Sequence, residues 1–219
     1  MSHDDVFREV DEEVRREQLK KLWERYQYLI VGVVVLIVVG VGGWRIYEHL
    51  QTQQAERIGT QFENAIALAE SGKHDEAEKI FAQIAVDGTP AYRVLARIRQ
   101  AAELAQTDPA KAIELYKQVS ADTGVEQVMR DLASLRAATL LIDAGTYVDA
   151  RKLLEPLAQP GREYRHAARE LLALNAWKSN DRPGAMKWYA AILTDPEAPA
   201  SSRTRVEMLI ALSAADGKS

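Results

Sequence analysis

Gly72-Lys73-His74-Asp75-Glu76-Ala77-Glu78-Lys79-Ile80-Phe81-Ala82-Gln83-Ile84 decides the fold, because its pattern returns three more times along the chain. Set against Ala77 stand Ala112, Ala150 and Ala185, at intervals of 35, 38 and 35 residues. Three residues after each alanine come Ile80, Leu115, Leu153 and Trp188; four after, Phe81, Tyr116, Leu154 and Tyr189; seven after, Ile84, Val119, Leu157 and Ile192. Apolar residues at these offsets share one face of a helix. Five residues before each alanine come Gly72, Thr107, Gly145 and Asn180, types that let a chain reverse between two helices. A small alanine at the crossing lets the second helix of a pair approach the first, and the larger side chains at the later offsets fill the space beside it. One pair cannot bury its stripe alone, whereas stacked pairs bury it continuously in a solenoid.

Working outward, the breaks fall where that pattern needs them: Gly88-Thr89-Pro90, Asp122-Thr123-Gly124, Pro160-Gly161 and Asp195-Pro196. Thr89-Pro90 and Asp108-Pro109 each set a capping side chain before a proline at the first helical position. The first helices of the four pairs are expected near Ile58 to Ser71, Ala91 to Gln106, Val125 to Ala144 and Glu163 to Ser179. A last helix from about Ser201 to Ala214, with Val206, Leu209 and Ile210, caps the array, as solenoids require. Nothing alternates with period two over a useful length. The reading is all-α, with a repeat domain over 58–219.

Upstream, residues 26–44 run for 19 positions without a charge, through Tyr26, Leu29, Gly32, Leu36, Gly40, Gly43 and Trp44. At about 1.5 Å per helical residue they nearly cover a bilayer core of about 30 Å. Seven of them are valine, a poor helix former in water, but in lipid a helix satisfies every backbone group within one segment. Tyr26 and Tyr28 at one end and Trp44 and Tyr47 at the other match interfacial aromatic belts. A cleaved signal peptide would carry a short basic leader, not 25 residues with eight acids. A core helix seldom runs so long without a polar face. The expectation is a single transmembrane helix at 26–44, followed by a linker or helical extension at 45–57. The basic residues before it, from Arg8 to Arg25, outnumber Arg45 and Arg57 after it, which sets the N-terminus in the cytoplasm.

The first 25 residues read as a charged amphipathic helix, with Phe7, Val10, Val14, Leu19, Leu22 and Trp23 in one stripe and Asp11 with Arg15, Glu12 with Arg16 and Glu17 with Lys21 at i,i+4. The 219 residues carry a net charge of −4, are 27% charged and include no cysteine. The charge gives no basic face for nucleic acid, and the missing cysteines exclude disulfides, thiolate metal sites and thiol chemistry.

With Gly72, Ala77 and Phe81, Ala112 and Tyr116, Gly145, Ala150 and Leu154, and Ala185 and Tyr189 in register, residues 58–219 resemble tetratricopeptide repeats. With the charged helix and the glycine-rich span ending Gly43-Trp44-Arg45-Ile46-Tyr47, nearly the whole chain resembles the bacterial ancillary SecYEG translocon subunit (YfgM-like) family. That resemblance implies an inner-membrane protein with a periplasmic repeat domain, whose partners are the SecYEG translocon and periplasmic chaperones and whose role is to assist protein translocation or folding. The alternative is a scaffold of the same fold that coordinates envelope assembly, cell division or cytochrome maturation.

No enzyme site is legible. His3, His49, His74 and His166 are scattered, without metal-ligand spacing, and His74-Asp75-Glu76 opens a helix whose positive end the two acids complement. No phosphate loop or nucleophile elbow occurs, so no cofactor or small-molecule substrate is expected. In tetratricopeptide domains that grip a C-terminal carboxylate, asparagines recur on the first helices; the counterparts here are Ile66, Thr139 and Leu174. Arg93 and Arg97, at i,i+4, and the ring of Trp177 are the candidate partner contacts.

Overall fold

The computed structural model describes the backbone of residues 3–216 and the side chains at 20, 23, 25–29, 31–33, 35–45 and 47–211. Of the stripe and ion pairs expected within residues 1–25, Trp23 is exposed and the other side chains named fall outside those described. The described helices are α1 (His3–Glu70), α2 (His74–Asp87), α3 (Pro90–Thr107), α4 (Pro109–Ala121), α5 (Gln127–Asp143), α6 (Tyr147–Leu154), α7 (Arg165–Lys178), α8 (Arg182–Leu193) and α9 (Ala200–Asp216). No strand occurs among the described residues, so the all-α reading holds.

The chain divides into two compact units, Met1–Gln54 and Ala55–Ser219. In the first, the described apolar side chains of residues 26–44 stand exposed, Leu36 at 74% and Leu29 at 63%. From Arg25 onward α1 is apolar enough and long enough to cross a membrane. A Cβ added at Gly32, Gly40, Gly42 or Gly43 would meet nothing within 4 Å. Residues 45–57 are helical throughout.

The second unit is built from four overlapping clusters that pass the core along the chain. Ile58 and Ala65 of α1 pack with Ala77, Phe81 and Ile84 of α2 and Ala96 of α3, and the Phe62 ring meets Phe81 and Tyr92 edge-on at 5.2 and 5.6 Å. Ala101, Tyr116, Val119, Ala133 and Ala137 continue it through α3, α4 and α5. Ile113, Leu141, Leu154 and Leu172 carry it to α7, and Ala176, Tyr189, Ile192 and Val206 close it under α9. Ala77, Ala112, Ala150 and Ala185 are all buried, as are the residues four and seven positions after each. The side chains at the third position are only partly buried, because they lie at the edge of the stripe.

Three of the four reversals share one geometry. Gly72, Gly145 and Asn180 have φ of +79°, +77° and +66°, and the next N–H in each case bonds a carbonyl five residues back: Lys73 to Leu68, Thr146 to Leu141, Asp181 to Ala176, at 2.8 to 2.9 Å. This left-handed C-cap satisfies the last carbonyls of the helix. The second pair departs from it, because Asp108 alone joins α3 to α4: its N–H bonds Leu104 O and its carboxylate accepts the Lys111 N–H.

Two local expectations are corrected. Thr89 makes no side-chain cap; it offers only its backbone carbonyl, to the N–H of Arg93 at 2.9 Å. Pro90 is not the obstacle, since a capping oxygen accepts from the second or third helical N–H, as Asp108 does from Lys111 beyond Pro109; nothing in the structure explains why the Thr89 hydroxyl stays out. Helix α6 stops at Leu154, before the Pro160-Gly161 break, because Pro156 lacks the donor that the next turn needs. A tight turn, with Ala158 N–H on Leu154 O at 3.1 Å, still brings Leu157 into the core.

Candidate functional site

The first helices of successive pairs leave a groove of about 500 Å³ between them. Phe62 of α1 stands at one side; Leu95, Ile98, Arg99 and Ala102 come from α3, and Met129, Leu132 and Arg136 from α5, over the ring of Tyr116. A second opening of about 390 Å³ continues from Leu95 and Met129 past Pro90, Val94, Val125 and Glu126, and is almost wholly apolar. The repeat places these residues: Phe62, Arg99 and Arg136 follow one another at 37 residues, as do Leu95 and Leu132. Each therefore holds the same position on its own first helix.

The groove is apolar at its floor and cationic at its rim. Arg99 and Arg136 are exposed, and neither enters an ion pair among the described residues. Tyr116 is buried, which pushes its hydroxyl pKa up, while the Arg136 and Arg99 charges pull the other way against Glu103. Both guanidiniums thus act on one ring. No metal-binding group of three His, Cys, Asp or Glu occurs among the described residues, and the groove holds no nucleophile beside a base. A concave, mostly apolar lining with a few polar groups at its rim is the form of a binding surface.

Arg93, Arg97 and Trp177 are not brought together. Arg93 is exposed, Arg97 donates to Asp122 Oδ2 at 2.7 Å and ties α3 to the loop before α5, and it holds the Asp122 carboxyl below its usual range. Trp177 packs against the last cluster with the Arg182 guanidinium 3.4 Å over its ring, a cation–π contact. Ile66 and Leu174 present no polar group, and Thr139 bonds Leu135 O within its own helix. Tyr26, Leu29, Gly32, Leu36, Gly40, Gly43 and Trp44 lie exposed on α1.

Buried charges were not foreseen, because each meets its partner across a pair. Glu103 meets His74 Nδ1 at 2.7 Å; Asp131 accepts from Gln127 and from Arg162 at 2.6 and 3.2 Å. At the α8–α9 junction Asp195 receives Arg169 at 2.6 Å and Arg165 at 3.4 Å. The Glu197 N–H, then the two arginines, lower its pKa to about 2. His166 beside it is pushed below its ordinary value, first by burial and then by Arg165.

A family model described as a tetratricopeptide repeat-like domain matches residues 20–210, most of the chain. The chain belongs to the tetratricopeptide repeat-like family. Over 145 residues, 66% of this chain and 71% of the relative, this repeat protein is 21% identical to a protein of Haemophilus influenzae named ancillary SecYEG translocon subunit. No solved structure matches it. In tetratricopeptide terms α1 with α2, α3 with α4, α5 with α6 and α7 with α8 are the four repeats, and α9 is the cap.

Proposed function

We propose that this chain is a membrane-anchored repeat scaffold that associates with the SecYEG translocon and assists the translocation or folding of emerging polypeptides. The observation that carries the reading is the likeness to an ancillary translocon subunit over two thirds of the chain. The exposed apolar residues 26–44 on α1 and the groove on the repeats agree with it. In this reading 26–44 spans the inner membrane once, the basic residues before it stay in the cytoplasm, and the repeats from 58 onward face the periplasm, where periplasmic chaperones are the further partners. Tethering raises the effective concentration of the groove at the channel exit. Gly32, Gly40 and Gly43 leave room for a neighbouring helix to approach.

Photocrosslinking in native membranes, with the reactive group at Gly40, Leu95 or Trp177, tests the proposal. Adducts with Sec channel subunits from Gly40 and with channel or chaperone segments from Leu95 are the expected result. Adducts confined to division or cytochrome-assembly proteins would keep the fold and move the function.

A further inference from the structure

The groove between α1, α3 and α5 combines an apolar wall with two cations. Leu95, Ile98, Met129 and Leu132 bring no hydrogen-bonding side chain, and the adjoining opening is almost free of polar surface. An extended chain laid against that wall would bury a row of backbone N–H and C=O groups without partners, which is costly. A helix arrives with its backbone bonds already made and presents only side chains, so an apolar stripe at i, i+3, i+4 and i+7 suits this surface.

Charge narrows the occupant further. Arg99 and Arg136 stand one repeat apart, exposed and outside any ion pair among the described residues, and both bear on the hydroxyl of Tyr116. Neighbouring guanidiniums above an apolar floor repel one another and favour a negative group between them, which they bind in a bidentate fork. Arg99 and Arg136 line the near end of the groove, while Glu126 is the one charged side chain on the far opening, beside the start of α5. Complementary charge then fixes the direction of whatever lies in it.

We propose that this groove receives an amphipathic helix of a partner protein, its apolar stripe on Leu95, Ile98, Met129 and Leu132 and an acidic side chain between Arg99 and Arg136. The inference rests on the scaffold reading above and gives its partner-facing site a chemistry. A helix fills both openings at once, because Leu95 and Met129 line each of them.

The test uses the full chain in lipid nanodiscs, with empty nanodiscs as blank. Fluorescence anisotropy follows a labelled synthetic helix that carries a leucine stripe and one glutamate at its edge. Two further probes are the same helix with glutamine for the glutamate, and a proline-interrupted peptide of the same composition ending in a free carboxylate. Binding of the glutamate helix is expected, weakened about tenfold by glutamine or by Arg99→Gln/Arg136→Gln. The two losses should not add, since each removes the same contact. Leu95→Asp should abolish binding while leaving the circular dichroism unchanged. Equal affinity for both helices, tighter binding of the interrupted peptide, or no signal above the blank overturns the proposal. Co-purification of Sec channel subunits, run on the same proteins, separates the two levels. A channel retained by a wild-type protein that ignores the probes sinks the groove chemistry alone. A channel absent from the wild type sinks the scaffold reading.

Discussion

Asp195 gathers Arg165, Arg169 and the Glu197 N–H at the junction of the last repeat with its cap. Its pKa of about 2 lies below the ordinary 3.8, so the folded state holds the carboxylate more readily than the unfolded chain does. That contribution is complete above about pH 4 and is lost as pH falls through about 2. Asp195→Asn should therefore lower the urea midpoint near neutrality, and the gap from wild type should close as pH falls from about 4 to about 2. His166, held below its usual value, works the same way at higher pH: the unfolded chain takes its proton first as pH falls through about 6.5. A His166→Gln variant should lose less stability than wild type on acidification across that range. Ala150 is fully buried at a helix crossing, so Ala150→Trp should cost about 1 to 3 kcal/mol by overpacking, read as a lowered melting temperature. At this scale the four alanines and their followers were legible because a repeat displays them at fixed intervals. Arg99 and Arg136 were passed over for Arg93 and Arg97 because neighbours on one helix are easy to see, whereas equivalence at 37 residues appears only once the first helices are aligned with one another. Buried Glu103 and Asp131 and half-buried Asp195 looked like ordinary surface acids, since their cations lie about one repeat away in sequence.

Among the elements, turns carry more information than helix interiors. Gly145 adopts φ +77° and Gly72 +79°, a region where a Cβ costs about 1 to 2 kcal/mol. Gly145→Val should destabilise the third repeat by that amount although nothing lies within 4 Å of the added Cβ. Thermal unfolding would read the loss, and an unchanged melting temperature would show that the turn does not hold its hairpin. Asp108→Ala should also lower the melting temperature, because it removes the one side-chain cap of a joint a single residue long. The bounds of α3, α5, α7 and α9 were readable from apolar spacing and turn residues to within about two residues, whereas α1 runs unbroken from His3 to Glu70 where a separate helix beginning near Ile58 was expected. The short α6 was not readable, because Pro156 sits inside a stripe whose periodicity continues past it, so spacing and backbone chemistry disagree and the backbone decides.

Across the repeat unit each helix packs chiefly on those next to it in sequence, from α2 against α3 through to α8 against α9. Side-chain ties add links between alternate helices, Lys178 of α7 to Asp143 of α5 and Arg205 of α9 to Glu170 of α7, while Arg97 to Asp122 closes the second repeat on itself. Removing α9 should uncover Tyr189 and Ile192 and loosen the fourth repeat while leaving the first intact; hydrogen exchange mapped along the chain would show protection lost from α7 and α8 and kept in α2. Orientation belongs to this scale too. With no native cysteine, one introduced at Ser71 or Ser2 is the sole thiol, and a membrane-impermeant maleimide added to spheroplasts should label Ser71→Cys and spare Ser2→Cys. A chain whose contacts are all near neighbours has no distant strand to wait for. Pulled from its end it should yield hairpin by hairpin in a staircase of small force peaks, and while being made it can close each hairpin as soon as the second arm is free.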